Sequence, residues 1–204
     1  MSGEVPKRPD NTRASLFIQL RPGDPRREVA WHTFFRLYAP MISGFARRLG
    51  ARGSEVDDLV TDVLGAFYST SPEFVYDPSK GRFRGYLMTC VLHKFTQRRK
   101  KAEREAKPFG DHVPVDPRSI EETWNDVWET TKLQQAMEAV RERYSTNPER
   151  QRTFQAFEMC AVLDRPTSAV AAALGMSEEG VRAARSRVAK ALRQTFDHLE
   201  TTTG

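Results

Sequence analysis

Apolar residues recur along most of this chain at the three- and four-residue spacing of a helix face. Trp31, Phe34, Phe35, Tyr38, Met41, Ile42, Phe45 and Leu49 keep that spacing, with Pro40 placed to kink or break the helix. Val56, Leu59, Val60, Val63 and Phe67 mark a helix from about Glu55 to Ser69. Leu87, Met88, Val91, Leu92 and Phe95 form the apolar side of another, from about Tyr86 to Arg104. Farther on, Trp124, Trp128, Leu133, Met137, Val140 and Tyr144 predict one helix or two over Glu121–Tyr144. Phe154, Phe157 and Val162 predict one more over Thr153–Leu163. The first eleven residues read as a loose tail. Asp77–Gly85 reads as a loop, and the Pro-rich stretch Lys107–Pro117 as a linker. No strand pattern or internal repeat is visible. The expected class is all-α: two small helical domains joined by a Pro-containing linker.

The segment Thr167–Ser186 carries a sharper pattern. Two helices crossing at a tight turn need a small residue where they touch, and Ala171 meets that need. Gly175 tolerates the positive φ of such a turn. Val170, Leu174, Met176, Val181 and Ala184 fill the inward positions. Ser177 is a natural N-cap for the second helix, and Glu178 and Glu179 favour its first turn. That helix then carries Arg182, Arg185, Arg187, Lys190 and Arg193. The pattern predicts a helix-turn-helix.

Composition narrows the class. At 204 residues, 39% hydrophobic and with 12 Phe, the chain can build real cores. A net charge of +5 permits a polyanionic partner without proving one. Cys90 and Cys160 are far apart and lie in helical patterns, which points away from a disulfide framework, and four scattered His supply no zinc spacing. The chain has no run of eighteen apolar residues and no signal-peptide pattern, so a soluble, cytoplasmic protein with no membrane insertion is expected.

Two faces within the first helical block invite chemistry. On the Tyr86–Arg104 helix the apolar residues occupy an arc of roughly 140°. Tyr86, Cys90, His93, Lys94, Gln97 and Lys101 fall opposite, with Arg98, Arg99, Lys100 and Arg104 extending the charge. Such a stripe binds phosphates and stacks unpaired bases, or is simply a solvated face. On the preceding helix Asp58, Thr61 and Asp62 share one side, with Asp57 beside them. They make an ordinary polar face, a docking surface for a basic partner, or a metal site that lacks companion ligands.

With these features in order, the chain resembles an extracytoplasmic-function (ECF) sigma factor of the sigma-70 family, closest to the group common in planctomycetes. TRASLFIQLR, AWHTFFRLYAPMI, VDDLVTDVLGAFY, FVYDPSKGRFRGYL and VAAALGMSEEGVRAARSRVAKALR carry the resemblance. It implies region 2 over 12–105, a linker over 106–120 and region 4 over 121–200. Asp58, Thr61 and Asp62 then match positions that dock on the clamp coiled coil of the polymerase β′ subunit, with Thr61 standing where Gln is usual. Asp77–Arg104 matches the segment that captures the minus-ten element and its unpaired non-template strand. Its contacts would be Tyr86, His93, Lys94, Gln97, Arg98 and Lys101. Tyr86 stands where Trp is common, His93 for a frequent Asn, Leu92 for a frequent Arg and Gln97 for a frequent Asp. The helix-turn-helix matches the module that reads duplex DNA at the minus-thirty-five element, through Ser177, Arg182, Arg185, Ser186, Arg187 and Lys190. Arg182, Arg185 and Ser186, near the helix start, suit base edges. Arg187, Lys190 and Arg193 suit phosphates.

The resemblance also implies the core polymerase β flap as a partner, leaves room for an anti-sigma factor, and implies a nucleoid-associated, non-catalytic subunit. No catalytic residue, metal or cofactor is expected. A free-standing helix-turn-helix regulator is the alternative, although no heptad zipper is present to pair such a protein. A metal-dependent hydrolase built on Asp57, Asp58 and Asp62 would lack a nucleophile–base pair and a Gly-rich phosphate loop.

Overall fold

The computed structural model describes residues 13–70, 83–105 and 117–203. Every regular element among them is a helix: α1 (Arg13–Gln19), α2 (Arg27–Arg48), α3 (Ser54–Thr70), α4 (Phe83–Arg104), α5 (Pro117–Tyr144), α6 (Pro148–Ala161), α7 (Thr167–Leu174) and α8 (Glu178–Thr203). The expected all-α class is therefore observed. The chain divides into two compact units at Thr131/Lys132, within α5. Unit 1 holds α1 to α4 and the first half of α5; unit 2 holds the rest of α5, α6, α7 and α8 as far as Glu200. The expected tail, residues 77–82 of the expected loop, and residues 106–116 of the expected linker lie outside the described residues. Residues 117–120, the end of that linker, open α5 instead, as a proline at the first helical position allows.

Unit 1 is organised around aromatic rings. Phe34 of α2, Phe67 of α3 and Phe83 of α4 are buried and meet within 6 Å of one another, centroid to centroid. Phe17, from α1, packs on all three. Neither α1 nor Phe83 was expected from the pattern. Phe83 sits where a loop was predicted, and its burial carries the start of α4 back from Tyr86 across Gly85. α2 is not broken at Pro40, which is exposed, so the carbonyl four residues earlier is left on the solvent side. The first half of α5 adds Trp124, against Phe45 at 4.9 Å, and Trp128. α2 comes so close here that a Cβ on Gly44 would lie 2.8 Å from Val127 Cγ1.

Unit 2 has its own core. Val170 and Ala171 of α7 pack with Val181 and Ala184 of α8 and with Ala156 and Cys160 of α6. Farther along α8, Val188 and Ala191 meet Val140 of α5 and Phe154 of α6. α5 is one helix rather than two. α6 begins at Pro148, five residues before the predicted Thr153, because Asn147 caps it and accepts from the Arg150 N–H. At the far end of α8 the Lys132 ammonium is completely buried, lying 4.1 Å from the Phe196 ring centroid and paired with Glu200.

Candidate functional site

In unit 1 the two polar faces read from the sequence are neighbours, because α3 and α4 pack side by side. On α3, Asp58 and Thr61 are exposed and Asp62 is half-buried. Thr61 turns its hydroxyl back to the Asp57 carbonyl at 2.9 Å, the usual bond of a threonine inside a helix. Glu55 reaches back to accept from the Arg52 N–H and fixes the start of the helix.

A recess beside this face is lined by Phe35, Ala39, Pro40, Asp57, Val60 and Thr61 among others, with a volume of about 490 Å³. Phe35 is 53% exposed on its rim. The helix spacing counts Phe35 with the apolar residues of α2, but it stands at the edge of that stripe and is left exposed.

On α4, Tyr86, His93 and Lys94 come together around a cavity of about 160 Å³ whose floor includes Val63, Phe67 and Leu87. Cys90 lines it too. Burial pushes the Tyr86 phenol up to about 12, assisted by its hydrogen bond with Cys90 and opposed by one with Thr70. Burial likewise raises the Cys90 thiol. Gln97 lies 3.3 Å from His93 through their Nε2 atoms, and Lys101 approaches Glu105 at 3.9 Å. A wall of ring and aliphatic carbon under a cationic, partly open rim can receive a flat apolar group attached to an anionic one.

Arg98 behaves differently from the rest of the stripe. Its Nε donates to Asp62 Oδ2 at 2.5 Å and its Nη1 to Asp58 Oδ2 at 3.1 Å. Nη2 reaches the Asp58 carbonyl at 3.4 Å. The Asp62 carboxylate, more than any other neighbour, raises the pKa of this guanidinium. A residue expected to bind the strand is thus held by two residues expected to dock a partner. The helical wheel of α4 alone could not show this, because the carboxylates lie 36 and 40 positions upstream.

In unit 2 the α7–α8 pair has the local geometry its sequence predicts. Gly175 closes α7 at φ 60°, ψ 41°, and the Met176 N–H returns to the Ala171 carbonyl. Ser177 Oγ accepts from the Gly180 N–H at 3.0 Å and so caps α8. Arg182, Arg185, Ser186, Arg187 and Lys190 are all exposed on α8. Arg182 makes only a 3.4 Å pair with Glu178, one turn back. Arg187 lines a polar recess of about 410 Å³ together with Arg143 and Tyr144 from α5 and Asn147, Arg150 and Thr153 from the α6 start; among the described residues Glu149 is its one carboxylate. Sequence reasoning did not single out Arg143 or Arg150. Each is an ordinary helix-end arginine until the fold gathers them.

Among the described residues, no group of three His, Cys, Asp or Glu side chains is placed to hold a metal ion. No helix among them is long and apolar enough to cross a membrane.

α3 and α4 thus set an acidic helix face beside a basic helix stripe within one unit. Comparison with known families is more specific. Residues 34–105, from within α2 to the end of α4, match the family model for sigma-70 region 2. The match supports a sigma-70 family sigma factor, a non-catalytic initiation subunit that binds core RNA polymerase and promoter DNA and takes part in promoter melting. No curated protein matches the chain.

Proposed function

We propose that the chain is an alternative sigma factor of the extracytoplasmic-function type, of the planctomycete-like group, acting in the cytoplasm at the nucleoid. The observation that carries this reading is the overlap of the region 2 match with α2–α4, the helices that bear both polar faces. Asp58, Thr61 and Asp62, with the recess at Phe35, dock on the β′ clamp coiled coil. Tyr86, His93, Lys94, Gln97 and Lys101 hold the unpaired strand of the minus-ten element, with the cavity beside Tyr86 sized for part of a base.

α7 and α8 form a helix-turn-helix that acts as region 4, within 121–200, and reads the minus-thirty-five element. The tight Gly175 turn and the Ser177 cap support this reading. Arg182, Arg185 and Ser186 reach base edges from the start of the helix. Arg187 and Lys190 meet phosphates, Arg187 in company with Arg143 and Arg150. The β flap is a further protein partner in this reading, which leaves room for an anti-sigma factor. Joining the two units in one chain raises the effective concentration of each for its own target.

Run-off transcription with purified core polymerase on a pooled promoter library tests the proposal. Promoter-dependent transcripts are expected only when this chain is added. A folded chain that yields none refutes it. Tight duplex binding without polymerase would favour a free-standing regulator.

A further inference from the structure

We infer that Arg98 is a residue shared between the two faces of unit 1: the bare acidic face holds it, and a basic partner that takes Asp58 and Asp62 releases it to the phosphates of a bound strand. The inference rests on the proposed roles of α3 and α4. Its own ground is the geometry of Arg98, whose Nε and two Nη atoms are all directed at α3 groups one helical turn apart.

The arrangement has the properties an exchange requires. Arg98 donates to the Oδ2 atom of both carboxylates, so a partner guanidinium that grips the same two carboxylates competes with it for their charge and lone pairs. The side chains are 29% exposed for Arg98, 59% for Asp58 and 37% for Asp62, so solvent and an incoming partner have access. Ion pairs this open are weak enough to be traded. Arg98 is also one turn beyond Lys94 and beside Gln97, so once freed it has only to swing on its own stem to join the strand-binding stripe. Docking on α3 and strand binding on α4 would then favour one another, and by linkage the effect runs in both directions.

The test is a mutant cycle on the full chain, read by fluorescence anisotropy of a labelled single-stranded oligodeoxynucleotide over a range of salt. Asp58→Asn with Asp62→Asn should tighten binding several-fold and steepen the salt dependence by about 0.7, the increment for one additional phosphate contact on a single strand. The same pair of substitutions in an Arg98→Gln background should bring no steeper slope and little gain. Removing two negative charges also helps DNA binding at long range, and the Arg98→Gln background isolates that contribution.

An equal gain in both backgrounds overturns the inference, as does an unchanged salt slope. Lys94→Gln with Lys101→Gln separates the two possible failures. If that variant weakens binding while the cycle shows no coupling, the shared role of Arg98 fails and the strand-binding face stands. If it leaves binding unchanged, the strand-binding reading of α4 fails and takes the inference with it. Thermal melts of each variant confirm that all are folded before they are compared.

Discussion

Phe34 and Phe67 lie stacked, ring centroids 4.8 Å apart and planes within 10° of parallel, and so tie α2 to α3 at the centre of unit 1. Phe83 meets both rings edge-on from the first turn of α4. The helix that carries the basic stripe is thereby anchored on the core that carries the acidic one. Phe83→Ala should cost about 3–5 kcal/mol, the range for removing a buried aromatic ring, and should loosen the start of α4. Denaturant unfolding of unit 1 would measure it. A loss below about 1 kcal/mol would show that the cluster repacks without it.

The turn between α7 and α8 makes a separable prediction. Gly175→Ala meets no atom within 4 Å, so its cost is backbone strain alone, about 1–2 kcal/mol for an L-residue in the left-handed region. Ser177→Ala should cost about 1 kcal/mol more through the lost cap. The two positions share the same turn, so a double mutant tests whether the losses add.

Arg182→Ala should weaken binding by about 1–3 kcal/mol selectively on the preferred upstream element. Competition between that element and scrambled duplexes measures it. An equal loss on every sequence would move Arg182 from base reading to phosphate contact.

Tyr86 gives a prediction in pH. Its folded pKa is raised, so the protonated phenol is favoured by folding. The stabilisation is complete below the unfolded value of 10 and is lost as pH climbs towards about 12. Absorbance titration near 295 nm should show a late tyrosinate step that Tyr86→Phe removes. Cys90, raised by the same burial, should react slowly with iodoacetamide at neutral pH and faster once Tyr86→Ala opens its cover.

What could be read from the sequence follows from how local each signal is. Gly175, Ser177 and the apolar positions around them act within a turn of one another, so the α7–α8 pair was legible before any coordinates. The core faces of α2, α3 and α4 were legible for the same reason. Phe83 was not, because nothing in a run of glycine and charge says that Phe17, Phe34, Tyr38 and Phe67 from other helices await it. Asn147 followed by Pro148 was a readable start for α6, and the apolar periodicity, which sets in only at Phe154, obscured it. The partners of Arg98 and the gathering of Arg143, Arg150 and Arg187 depend on helices packed from distant stretches of chain.

The buried Lys132 gives α8 a second task. Residue 182 and residue 196 are separated by about 21 Å of helix. The arginines near one end are therefore aimed by a fixture at the other, where Phe196 and Glu200 clasp the ammonium from α5. A change in that clasp would leave every proposed DNA-contacting side chain of α8 intact and still misdirect them, as a rifle with a sound barrel misses when its stock is loose.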